Sequence, residues 1–204
     1  MDKSSQVAQK SADFISMLTG HTMDDLLGVL NRERQVMERL LYRLLQTTSL
    51  IQSEEIRFLH WMGLDLEQVG DHLREIDFHR TLIAIGSEGN NPENKCEPEM
   101  VTMGMLAASA PTPYRFLLED HKVAMSALLR EIGSKVAHIR DLIEDRVTEL
   151  EAERDYQGPN AYEYYDDVDR MDGLDREILS AGYETILFAC DRLRLPELVR
   201  FLEC

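Results

Sequence analysis

The six prolines of this 204-residue chain stand at positions 92, 98, 111, 113, 159 and 196, leaving residues 1–91 and 114–158 without one. Proline removes a backbone donor and clashes with the preceding turn, so two windows of this length permit long uninterrupted helix. Aromatic and β-branched residues nowhere alternate with polar ones over a stretch long enough to demand a strand. The expected fold class is all-α.

The first window reads as a weak helix followed by two long arms. Gln6 to Leu18 is weakly amphipathic through Val7, Phe14, Ile15 and Leu18, and Thr19-Gly20 closes it. Thr22 is expected to cap the next helix. Its apolar seam is Leu26, Leu30, Met37, Leu40, Leu44 and Ile51, in steps of three and four once Glu33 and Thr47 fill the gaps. That is a coiled-coil-like stripe. Ser53, followed by Glu54 and Glu55, is the expected restart. The second seam runs Ile56, Leu59, Gly63, Leu66, Gly70, Leu73, Ile76 and Ile83 to Gly86. At 1.5 Å per residue each arm is about 45 to 50 Å long, enough to pair as an antiparallel hairpin. Gly63 and Gly70 on that stripe either let the arms approach closely or form a hinge.

Ser87 to Pro113 breaks the pattern, with a short apolar patch at Met100, Val101, Met103, Met105 and Leu106. Thr112 as N-cap and Pro113 at the first helical position open a third helix. Its seam of Tyr114, Leu118, His121, Met125, Leu128, Ile132, Ile139, Ile143 and Leu150 ends near Glu153. At about 60 Å it completes a three-helix bundle with the hairpin. Asp155 to Glu177 then carries eight acids, two arginines and four tyrosines. The expected organisation is therefore a weak N-terminal helix over 1–20, an elongated bundle over 21–155, an acidic tyrosine-rich linker over 156–173 and an apolar helical extension over 174–204.

Charge narrows the function. With 38 acidic against 22 basic side chains the net charge is −16, which disfavours nucleic acid and anionic membrane as partners. No apolar run reaches the roughly 18 residues of a membrane span, and the start lacks a signal-peptide pattern, so a cytoplasmic protein is expected. Cys96, Cys190 and Cys204 show no CxxC spacing, so neither a disulfide framework nor structural zinc is expected.

The long helices offer few arrangements for chemistry. A carboxylate di-metal site needs Glu three residues before His, but Arg57, Val69, Ile76, Leu118 and Lys135 precede His60, His72, His79, His121 and His138. His72, Glu75 and His79 share one helical face and would hold a metal if a second helix supplied further ligands; otherwise they form a solvated or ion-paired face. The stretch from Asp166 to Glu177 fails as a calcium loop, having Val168, Arg170 and Met171 where ligands and glycine are required. No phosphate-cradling loop or nucleophile elbow occurs. His121 on an apolar seam reads as a satisfied core or interface histidine. Neither an enzyme nor a cofactor is expected.

Apolar surface for a partner remains. Met100, Met103 and Met105 offer adaptable contacts or simply cap the bundle. The tail, through Leu195, Leu198, Val199 and Leu202, either folds back on the bundle or docks on another chain.

The succession LLGVLNRERQVMERLLYRLLQTTSLI, RFLHWMGLDLEQVGDHLREIDFHRTLIA, loop, and MLAASAPTPYRFLLEDHKVAMSALLREI resembles the FlgN-type flagellar export chaperones, over about Met23 to Leu150. Arg32-Glu33, the run LREIDFHR, Tyr114, and Leu118 with Asp120-His121 carry the likeness. The resemblance implies a cytosolic, non-catalytic chaperone that holds the hook-filament junction proteins unpolymerised and presents them to the export gate. It implies a protein client with a helical apolar end, held through the third helix (Leu128, Ile132, Ile139, Ile143, Leu150) and the residues C-terminal to it. An export-gate component and a homodimer are further partners compatible with it. The last fifty residues have no counterpart in that family. A second reading starts from Trp61-Met62-Gly63, similar to the turn of the small WxG secretion substrates. It makes the chain a structural or secreted helical-hairpin protein with its reversal at Trp61 rather than at Gln52 to Glu54.

Overall fold

The structure, a computed structural model, describes residues 3–88, 101–156 and 168–203. Among these every regular element is helical: α1 (Lys3–Gln52), a 3-10 turn (Ile56–Phe58), α2 (Leu59–Glu88), α3 (Met103–Ser109), α4 (Thr112–Tyr156), α5 (Val168–Arg192) and α6 (Pro196–Glu203). The all-α expectation holds for the described residues.

Several boundaries differ from the sequence reading. α1 continues through Thr19, Gly20 and Thr22 without the expected break. One glycine costs about 1 kcal/mol against alanine, too little to end a helix that both flanks propagate. Ser53 does not restart the chain; it ends α1. Glu54 takes the left-handed conformation at φ 59°. Its amide donates to the Ile51 carbonyl at 3.3 Å, and the Glu55 amide donates to the Leu50 carbonyl at 3.1 Å. Those two bonds are the Schellman termination, with glutamate where glycine is usual. α4 starts one residue early in its capping, since the Pro111 carbonyl accepts from the Tyr114 and Arg115 amides at 3.0 Å each. The final helical segment opens at Val168 rather than Leu174, shortening the expected linker.

The chain divides into two compact units. The first takes Met1–Gln35, Leu73–Ala127 and Pro196–Cys204. It buries Leu26, Leu30, Leu73, Met103, Leu106, Leu118, Met125, Leu198, Phe201 and Leu202. α3 is capped at both ends. The Thr102 hydroxyl accepts from the Met105 amide, and Arg115 donates Nε and Nη2 to the Ala107 and Ala108 carbonyls at 3.1 Å. α6 packs on α3.

The second unit takes Val36–His72 and Leu128–Leu195. Its core holds Met37, Leu40, Leu44, Ile51, Leu59, Leu66, Ile132, Ile139, Ile143 and Ile186. The buried seam residue Thr47 satisfies its hydroxyl on the Arg43 carbonyl at 2.9 Å, one turn back. Here α5 packs on the 3-10 turn, and Thr185 and Gly182 of α5 meet the start of α2 at His60, Gly63 and Leu59. A Cβ at Gly63 would stand 2.6 Å from the Thr185 methyl, and one at Gly182 would stand 2.9 Å from the Leu59 Cβ. Gly63 therefore does admit a close neighbour, but that neighbour is α5. The hinge alternative finds no break, since α2 is helical throughout. Ion pairs link the helices of this unit: Arg43 of α1 with Asp65 of α2 at 2.6 Å, Arg140 of α4 with Asp191 of α5 at 2.5 Å, and Arg192 of α5 with Glu67 and Asp71 of α2.

Candidate functional site

In the first unit a charged group occupies two positions that the seams reserve for leucine. Glu33 lies between Leu30 and Met37 on α1, and Arg80 lies one turn beyond Ile76 on α2. Both are buried, at 0% and 2% exposure. Arg80 Nε stands 3.0 Å from Glu33 Oε2, and Nη2 pairs with Asp77 on its own helix. The guanidinium carbon lies 3.7 Å from the centroid of the Phe201 ring of α6. One arginine thus ties α1, α2 and α6 together through two carboxylates and an aromatic face.

The electrostatics of this cluster are unbalanced. Burial pushes the Glu33 carboxyl up to about 7, outweighing the attraction of Arg80. Burial also raises Asp77, again opposed by Arg80, with Glu197 of α6 adding a like charge. Glu33 Oε2 has no hydrogen bond that satisfies normal geometry. In the same unit, His121 is half-buried with its Nδ1 enclosed and unpartnered, so the expected satisfied histidine is not found. Burial first, and Arg34 second, hold its pKa below the ordinary range.

The residues expected to meet a partner are mostly used inside the chain. Met103, Ile132, Ile139, Ile143, Leu195, Leu198 and Leu202 are buried; Leu128, Leu150 and Val199 are half-buried; Met105 is exposed. Met100 lies outside the described residues, as do residues 157–167 of the acidic linker. The tail folds back, α5 within the second unit and α6 within the first. His72, Glu75 and His79 stand exposed along α2, and among the described residues no group of three His, Cys, Asp or Glu is gathered to hold a metal ion. Burial pushes the Cys190 thiol up to about 11, so it is a core thiol rather than a nucleophile. Among the described residues no helix is long and apolar enough to cross a membrane.

Two features of the structure escape the motif reading of the sequence. Arg80 is recoverable in principle, since a charge at a seam position is anomalous. The other is apolar surface on the second unit: Phe58, Trp61 and Leu64 follow one another at intervals of three and are 45%, 70% and 42% exposed. His60 meets Trp61 edge-on at 6.3 Å, and Arg57 lies over Phe58 at 4.8 Å. Comparison with family models, curated proteins and solved structures gives no match for this chain.

Proposed function

We propose that this chain is a non-catalytic cytoplasmic chaperone or adaptor that binds the helical, apolar end of an aggregation-prone protein. By the resemblance, the clients are the hook-filament junction proteins bound for flagellar export. The observation that carries the proposal is the row Phe58, Trp61 and Leu64, left exposed along one side of a well-packed helical unit. Scattered apolar residues are normal on a surface, whereas a row at helical spacing is what a helix-binding face presents. The finer architecture of the proposal is an antiparallel hairpin of α1 and α2 joined by α4. It is supported by Arg43, nine residues before the end of α1, pairing with Asp65, six residues after the start of α2. The WxG-like reading requires the chain to reverse at Trp61, and α2 is helical through Trp61, Met62 and Gly63.

The test uses purified junction protein. The full chain is expected to form a stoichiometric complex by size-exclusion chromatography and to suppress client self-assembly. Replacing Phe58, Trp61 and Leu64 together by serine should weaken the complex at least tenfold while circular dichroism is unchanged. No complex with any junction protein would remove the flagellar assignment, and undiminished binding by the triple variant would remove this face as the site.

A further inference from the structure

The chain's last helix sits in the first unit by means that a separate helix could equally supply. α6 has eight residues, too few to stay helical in water unaided. It is held by the burial of Leu198, Phe201 and Leu202, by packing on α3 and by the stacking of Phe201 on Arg80. Its own charges contribute little to that hold. Arg200 reaches Glu197 of the same helix at 3.4 Å, and Glu197 sets a negative charge against Asp77. Leu193 to Leu195, three residues ending in a proline-started helix, join α6 to α5, which belongs to the other unit.

We propose that the recess beneath α6, formed by α3 and by Arg80 of α2, is a docking site for an amphipathic helix of a client protein, and that α6 is its displaceable internal occupant. The present occupant defines the chemistry of the incoming one. It carries an aliphatic residue, then three and four positions later an aromatic and an aliphatic residue, as Leu198, Phe201 and Leu202 do. Asp77, already paired with Arg80, adds a preference: Glu197 brings a like charge to it, so a helix with a basic residue at that place lacks a repulsion that α6 carries. An occupant in cis lowers apparent affinity by the fraction of molecules in which the recess is open. The proposal goes beyond the client-binding face of the second unit by adding a second site, in the first, and rests on that reading for the nature of the partner, but its test uses synthetic peptides, so failure of the junction proteins to bind leaves it standing.

A fluorescein-labelled peptide with the sequence of residues 196–203 is titrated by anisotropy into the full chain and into the full chain carrying Phe201→Ala. The altered chain, its resident helix weakened, is expected to bind at least tenfold more tightly. A peptide carrying Glu197→Lys should bind several-fold more tightly still, and one carrying Phe201→Ala at least tenfold more weakly. Equal affinity of both chains, or indifference to the peptide's aromatic ring, overturns the proposal. If Phe201→Ala reduces helicity, hydrogen exchange on the unaltered chain decides. Excess Glu197→Lys peptide should accelerate exchange in residues 198–203 and leave α5 unchanged; no acceleration overturns the proposal.

Discussion

At pH 8, above the value of about 7 at which folded Glu33 ionises, replacing Arg80 by methionine should lower the unfolding free energy by about 3 to 5 kcal/mol, the cost of leaving buried charge without its partner. The residues left behind set the direction. Glu33 at 0% exposure and Asp77 beside it would face one another with the shared cation gone, and Phe201 would lose the surface it stacks on. Removing the charge on both helices, with Glu33→Leu added to Arg80→Met, should recover most of the loss, because an ion pair replaced by apolar groups of similar volume is often neutral or stabilising. Chemical denaturation of the single and double variants checks this. A double variant as unstable as Arg80→Met alone would show that Asp77 and Phe201, rather than the buried pair, dominate.

The same cluster sets a pH dependence. In the unfolded chain Glu33 releases its proton near 4.5, in the folded chain near 7. Between those values the folded state holds a proton that the unfolded state does not, so stability falls as pH rises, by about 3 kcal/mol across the window. Glu33→Gln should flatten that slope between pH 5 and 8. His121, whose pKa lies below its ordinary 6.5, acts in the opposite sense, stability being lost as pH falls below 6.5. A slope unchanged in Glu33→Gln would mean that Glu33 is ionised throughout the range.

The second large effect concerns the glycines, which should separate into two classes. Alanine at Gly63 introduces a Cβ 2.6 Å from the Thr185 methyl and 3.0 Å from the Thr185 backbone carbon, so α5 itself must move. Overpacking of this kind costs about 1 to 3 kcal/mol, and the helical gain of alanine over glycine, about 1 kcal/mol, offsets only part of it. Gly182→Ala meets the Leu59 Cβ at 2.9 Å, an atom with no rotamer to escape into. Gly28 and Gly133 have nothing within 4 Å of a new Cβ, so alanine there keeps the whole helical gain and should stabilise by about 0.5 to 1 kcal/mol. Thermal melts of the four variants should give both signs. Gly63→Ala as stable as Gly28→Ala would mean that α5 does not lie where the contact requires. Adding Thr185→Ala to Gly63→Ala should recover part of the loss, since the nearest clash is with the methyl.

These contrasts show where sequence spacing is informative. The first seam is buried as its spacing predicts, from Leu26 through Glu33 and Thr47 to Ile51, because one long helix presents a stripe whatever it packs on. Spacing does not say what covers the stripe. Gly63 does lie on a buried face, but its neighbour comes from α5, more than a hundred residues away. Ile132, Ile139 and Ile143 fit a partner-binding face and a core equally in sequence, and the fold uses them as core. Residue type also fails at Glu54. No preference marks a glutamate for the left-handed position, and the backbone bonds of the preceding turn place it there.

Cys190 gives the chain a built-in clock. A thiol that is 1% exposed and held near 11 by its surroundings reacts with an alkylating reagent only after the second unit has opened around it. With Cys96 and Cys204 replaced by serine, the rate at which Cys190 is alkylated counts those openings one molecule at a time. Comparing that rate with and without a bound helix would then time the second unit alone, whatever happens at α6.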